Sequence, residues 1–217
     1  MNTLTSAPVA PLLERLFRQA DQTDAALPAF SAEERERLMR SKTDYPDLYA
    51  RLKDLSLAVS RETGALLYML ARACGARTVV EFGTSFGVST LHLAAARRDN
   101  GGGRLITTEF EPSKAARARN NLTEAGLIDL VEIREGDALQ TLATDLPERI
   151  DLLLLDGAKA LYPEILDRVE ARLRPGALIV ADNADHSPDY LARVRSPGSG
   201  YMSTPFAEDV ELSMRIG

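Results

Sequence analysis

The 217-residue sequence contains no tryptophan, one cysteine, two histidines and no excess of basic side chains, and these shortages remove several classes of protein. Because Cys74 stands alone, no internal disulfide can form, and without a cysteine cluster a thiolate zinc site is excluded; a reducing cytoplasm is the expected compartment. A net charge of -6 and a pI near 5.1 leave no clustered basic face for a phosphate backbone, so nucleic acid is not an expected partner. No window approaches the roughly 18 apolar residues needed to cross a bilayer. The opening MNTLTSAPVAP lacks a basic segment followed by a long apolar stretch, so neither a membrane partner nor a secretory leader is expected. What is present is an ordinary globular composition, 45% hydrophobic, at a length that suits one domain with a full core.

Residues 1–11 are small, polar and proline-containing, and read as a loose leader before a helical stripe opens at Leu12 with Leu13, Leu16 and Phe17. Ser31 followed by Glu34 has the form of a capping box, and Leu48, Leu52 and Leu55 mark a further helix within 44–57. Another helix is expected from Ser60 to a C-capping Gly75. This divides the chain into a leader with helices over 1–43 and a main domain over 44–217. From Thr78 the chain alternates. Strands are expected at 78–82, 104–109, 131–135, 150–155 and 177–181. Helices start near Gly87, Pro112 and Tyr162, and Gly176 reads as the stop of the last of these. A short helix at 189–193, a loop at 196–200 and two closing strands complete the pattern. The runs VVEF, LLLL and LIVA are continuous rather than alternating, as parallel strands covered on both faces require. The fold expected is a doubly wound α/β domain.

The first strand runs into Gly83-Thr84-Ser85-Phe86-Gly87-Val88-Ser89 and then directly into a helix. In an open α/β sheet this turn is where ligands approach, because backbone N–H groups at the helix start face the crevice. Glu109 ends the next strand about 20 residues beyond Gly87, where a carboxylate can accept hydrogen bonds from both ribose hydroxyls. Glu81 lies inside an apolar strand and needs partners or a role, and Gly136-Asp137-Ala138 closes the third strand. A nicotinamide dinucleotide site is the competitor, but its G-x-G-x-x-G fingerprint does not fit the three residues between Gly83 and Gly87. Further along, Asp156 ends the fourth strand and Asp182-Asn183 the fifth. Three oxygen-bearing side chains on one sheet edge suit Mg²⁺ first, then Mn²⁺ or Ca²⁺, although strand-end Asp and Asn also serve as loop caps.

The blocks VVEFGTSFGVSTLHLA, LITTEFEP, EGDALQTL, IDLLLLDGAKALY and ALIVADN, in this order and spacing, resemble the cation-dependent class I S-adenosylmethionine O-methyltransferases of the catechol and caffeoyl-CoA type over roughly residues 55–217. The resemblance implies a Rossmann-like, mostly parallel sheet of seven strands with helices on both faces and extra N-terminal helices. It implies S-adenosylmethionine lined by Glu81, Gly83, Ser89, Glu109, Phe110, Asp137 and Ala138, with Val59 touching it from the preceding helix. Ser85, Gly87 and Asp156 join this cofactor set from the turn and the fourth strand. Asp156, Asp182 and Asn183 become metal ligands, Lys159 the general base in a D-x-x-K block, and Glu208 the residue that holds the second hydroxyl of a diol. A lysine near 10.4 in water must have its pKa lowered to act as a base at neutral pH. The expected acceptor is a small phenol, most simply a catechol. His186 reads as a substrate-side or surface group.

Two departures bear on the acceptor. The catechol enzymes carry bulky aromatics beside the ligand aspartate and on the rim, but this chain has Gly157 and Ala158 there and no tryptophan, so a wider pocket is expected. Recognition of CoA phosphates would need a basic patch, for which Arg193 and Arg195 are the candidates. The resemblance covers both monomers and homodimers. A non-catalytic nucleoside-binding protein, or the methyltransferase-like partner of another subunit, is the alternative reading.

Overall fold

The apolar runs become strands buried from both sides. The computed structural model describes residues 2–24, 31–206 and 209–217. Strands β1 (Thr78–Phe82), β2 (Arg104–Glu109), β3 (Val131–Glu135), β4 (Ile150–Leu155), β5 (Leu173–Ala181), β6 (Tyr201–Phe206) and β7 (Val210–Arg215) form one sheet in the order β3-β2-β1-β4-β5-β7-β6. The first five run parallel, while β7 pairs antiparallel with both β5 and β6. The period-2 alternation of side chains divides the sheet cleanly. Leu152 and Leu154 enter one core with Val79 and Leu105, and Leu153 and Leu155 enter the other with Val80 and Ile106. Each of these fully buried aliphatic side chains contributes about 1.5–3 kcal/mol.

Helices α1 (Val9–Asp24), α2 (Ala32–Arg40), α3 (Tyr45–Arg51), α4 (Arg61–Ala73), α5 (Val88–Asp99), α6 (Pro112–Glu124), α7 (Ala138–Thr141), α8 (Tyr162–Val169) and α9 (Pro188–Arg195) connect and cover the strands. The first core takes its helical side chains from α1, α4, α5 and α6, and the second from α7, α8 and α9. Leu38, Leu48, Leu52 and Leu55 of the α2–α3 segment make a small cluster of their own. The expected caps form: Ser31 Oγ accepts from Glu34 N at 3.0 Å, and Ser60 Oγ accepts from Thr63 N at 3.0 Å.

Three expectations are corrected. The first residues are not a loose leader, because α1 already starts at Val9, which is 1% exposed. Thr3 ties the segment down, donating from N and from Oγ1 to Asp99 at 3.0 and 2.6 Å. The third helix ends at Arg51, well short of 57, since Leu57 takes a left-handed φ of 44°. Val59 therefore follows in extended chain ahead of α4, and not in a helix. Gly176 does not stop a helix: α8 ends at Val169, and β5 already begins at Leu173. Gly176 lies in a bulge where two steps along β4, from Ile150 to Leu152, face five along β5, from Leu173 to Leu178; its φ of 78° suits glycine.

Candidate active site

The strand order reverses between β1 and β4, which opens a crevice at their carboxyl ends. Two cavities occupy it. The narrower, of about 70 Å³, runs along the tips of β1, β2 and β3 and is lined by Gly83, Ser85, Glu109, Phe110, Asp137 and Ala138, with Tyr45 and Tyr49 of α3 closing it from above. The turn after β1 holds Gly83 at φ 101° and Ser85 at φ 48°. Gly83 has no alternative residue: a Cβ there would stand 2.7 Å from the backbone of Asp156 and Gly157. That contact presses the β1 and β4 tips together. Glu109 receives the Ser85 N–H on Oε2 at 2.7 Å and the Glu111 N–H on Oε1 at 2.9 Å. Burial nevertheless raises its pKa, against the pull of those amides and of Lys114. Asp137 caps α7, accepting from Leu139 N at 2.9 Å. Phe110 stands 42% exposed, edge-to-face with Tyr45 at 6.4 Å, so the hollow ends in an aromatic wall.

The second cavity, of about 640 Å³, lies under α2 and α3. Its apolar wall includes Phe17, Met39, Leu48, Leu52 and Val59, and its floor is Asp156, Lys159, Asp182, Asn183 and Asp209. Asp156 and Asp182 touch through a hydrogen bond between their carboxyl groups. Burial, then the charge of Asp156, pushes Asp182 up to about 7, so below that pH the pair holds a shared proton. Asn183, at φ 47°, donates Nδ2 to Asp209 Oδ2 at 2.9 Å, which leaves the amide oxygen as its remaining acceptor. Lys159, 5% exposed, donates to Asp156 Oδ1 at 2.9 Å.

Without a cation the lysine is held charged. Burial disfavours its ammonium, but the surrounding Tyr162, Asp156, Tyr49 and Asp182 oxygens outweigh that, and its pKa stands well above the usual lysine value. A base needs it lowered. The carboxylates that hold it charged are the same ones expected to ligate a cation. Among the described residues no group of three or more His, Cys, Asp and Glu side chains is arranged to hold a metal ion. Two touching buried carboxylates and an amide oxygen still fit Mg²⁺, which keeps several waters and asks the protein for only one or two carboxylates.

Other expected residues lie elsewhere. Glu81 and Ser89 line neither cavity, because the Glu81 carboxylate is turned to the α5 side of the sheet. It accepts there from Ser89 Oγ at 2.5 Å and Thr90 Oγ1 at 2.6 Å. Gly87 sits behind the wall as the N-cap of α5, and Val59 belongs to the larger cavity only. Glu208 lies outside the described residues, and its neighbour Asp209 reaches the floor. His186 is on neither wall and stands 3.7 Å from Asp185. Arg193 is paired with Asp167 and Glu170, and Arg195 with Glu211, so neither is a free phosphate ligand. Tyr45, Tyr49, Lys114 and Asp209 were absent from the sequence reading of the site. Lys114 had a visible signal: it shares the 114, 118, 122 stripe of α6 with buried Ala118 and Leu122.

A sheet of this order, with a glycine turn after β1 and an acid ending β2, is the fold of the class I methyltransferases. The comparisons agree. Residues 80–184 match the family described as "Methyltransferase domain". A catechol O-methyltransferase from Niastella koreensis is 40% identical over 59% of this chain and 58% of its own length, and one from Mycobacterium tuberculosis is 40% identical over 63% and 61%. The aligned part thus spans about three-fifths of these relatives. An O-methyltransferase from Streptomyces achromogenes involved in tomaymycin synthesis, solved in complex with SAM, superposes with a TM-score of 0.64 at 26% identity, covering 94% of this chain and 99% of that one. The chain is thus similar to class I O-methyltransferases in fold and, over about three-fifths of these relatives, in sequence. Among the described residues no helix is long and apolar enough to cross a membrane.

Proposed function

We propose that the chain transfers a methyl group from S-adenosylmethionine to one hydroxyl of a catechol-like vicinal diol, with help from a divalent cation. The observation that carries this reading is that Asp156 belongs to the walls of both cavities. A nucleoside in the narrow hollow and an acceptor in the wide one would meet at this residue.

Gly83, Ser85, Glu109, Phe110, Asp137 and Ala138 would hold the nucleoside, Glu109 taking the ribose hydroxyls with the lone pairs its backbone donors leave over. S-adenosylmethionine supplies an electrophilic methyl group on a sulfonium. The residues that would hold the cation are Asp156, Asp182 and Asn183; bound there, it would supply positive charge that favours the deprotonated acceptor hydroxyl and offsets the carboxylates keeping Lys159 charged. With those carboxylates offset, burial acts against the ammonium, and only Tyr162 and Tyr49 still favour it. Lys159, once it has released its own proton to solvent, would accept the hydroxyl proton at Nζ. The apolar wall under α2 and α3 excludes water and holds the aromatic ring, so much of the acceleration is alignment of two reactants. Arg193 and Arg195 being paired, the acceptor is a free phenol rather than a CoA ester.

The test is a product screen over catechols, flavonoids and phenolic CoA esters with S-adenosylmethionine, read by mass spectrometry with EDTA and with added Mg²⁺. Mono-methylated catechol that disappears on chelation and returns with Mg²⁺ is expected. Full turnover in EDTA removes the cation from the account, and absence of product from every vicinal diol removes the acceptor class.

A further inference from the structure

The cofactor hollow contains a cation that none of the roles above uses. Lys114 is the third residue of α6, lines the hollow and is 3% exposed. Three facts argue against a structural role. Among the described residues no carboxylate lies within 4.0 Å of its ammonium. Its one side-chain hydrogen bond is a long one, 3.3 Å to Ser85 Oγ. It also occupies the first turn of a helix, where the macrodipole disfavours positive charge. Its remaining neighbour is the Phe86 ring, 5.7 Å from Nζ, which Arg117 also shares. Desolvation disfavours a buried ammonium with so few partners, and the charges of Glu109, Asp156 and Glu111 offset it only in part. The unmet donors line the same space as Glu109, the strongest source of opposite charge.

Glu109 can only accept hydrogen bonds, and Lys114 can only donate. A ribose diol offers both complements, hydroxyl hydrogens for the carboxylate and oxygen lone pairs for the ammonium. We propose that Lys114 is a contact residue of the cofactor site, donating from Nζ to a ribose hydroxyl oxygen while Glu109 accepts the hydroxyl hydrogens. This rests on the cofactor reading above and adds a residue to it. Burial, which lowers Lys114 to about 8, is relieved in part once a polar ligand fills the hollow.

The test is calorimetric titration of the full chain with S-adenosylhomocysteine and with its 2′-deoxy and 3′-deoxy analogues, for wild type, Lys114→Met and Lys114→Gln. Lys114→Met removes an uncompensated buried charge, so it folds at least as well as wild type. It is expected to bind S-adenosylhomocysteine about tenfold more weakly, as loss of a charged hydrogen bond does. One deoxy analogue should lose affinity in wild type and lose much less in Lys114→Met, with Lys114→Gln, which keeps a donor, in between. Equal affinity of Lys114→Met and wild type, or unchanged sensitivity to both deoxy analogues, overturns the role of Lys114 alone. No binding by wild type overturns the cofactor reading and this inference together.

Discussion

Replacing Asp182 by asparagine should make the cation-free protein more stable and at the same time weaken the proposed cation site. The side chain is 7% exposed and shares a hydrogen bond with Asp156. Its pKa is raised from 3.8 to about 7, first by burial and then by the Asp156 charge. The unfolded chain releases this proton near 3.8, whereas the folded protein holds it to about 7. The folded state is therefore favoured at low pH and loses that advantage as pH rises from about 4 through about 7. Well above 7 the cost is at most about 4 kcal/mol. Sharing of the proton with Asp156 and local relaxation bring the expected gain from Asp182→Asn to about 2 kcal/mol at pH 8. At pH 4.5, where the wild-type side chain is already protonated in the fold, the gain should nearly vanish. Asparagine keeps a donor toward Asp156, so the contact itself survives. The assay is urea unfolding in EDTA at both pH values, with Mg²⁺ titrated into each protein. A variant less stable at pH 8, or one with equal effects at both pH values, refutes the reasoning.

Three other outcomes are expected. Lys159→Ala should bind S-adenosylmethionine normally but turn over 10²- to 10⁴-fold more slowly, the usual worth of a positioned base; single-turnover rates check this, and an unchanged rate removes the assignment. Mg²⁺ affinity should increase as pH rises through about 7, because the cation must displace the proton of Asp182, and level off above it; calorimetry at pH 6 and pH 8 reads the difference. Gly83→Ala places a Cβ 2.7 Å from the Asp156 backbone at a φ of 101°. It should cost about 2–4 kcal/mol in thermal unfolding and weaken cofactor and metal together.

The strand tips were legible because a continuous apolar run that stops at an acid marks both a buried strand and its exposed end: Glu109, Asp156 and Asp182 were found this way. Glu81 is harder to read. A carboxylate in an apolar strand needs donors, and sequence cannot tell a ligand from the hydroxyls of the next helix, which here are Ser89 and Thr90. The N-terminal segment looked loose because its anchor, Asp99, is 96 residues away from Thr3. Tyr45, Tyr49 and Asp209 come from segments that pack across the crevice only after the sheet exists, and no local pattern announces that. Lys114 was readable as a cation on a buried stripe. Its meaning depended on finding no carboxylate in ion-pair reach among the described residues, which only the fold reveals.

The central claim is that nucleoside and diol meet at Asp156. A crystal structure with S-adenosylhomocysteine, Mg²⁺ and an unreactive catechol tests it most directly. The account predicts the cation about 2.0–2.1 Å from oxygens of Asp156, Asp182 and Asn183 and of the diol, with the ribose on Glu109. A nucleoside bound away from Glu109, or a catechol seated with no cation between it and Asp156, contradicts it.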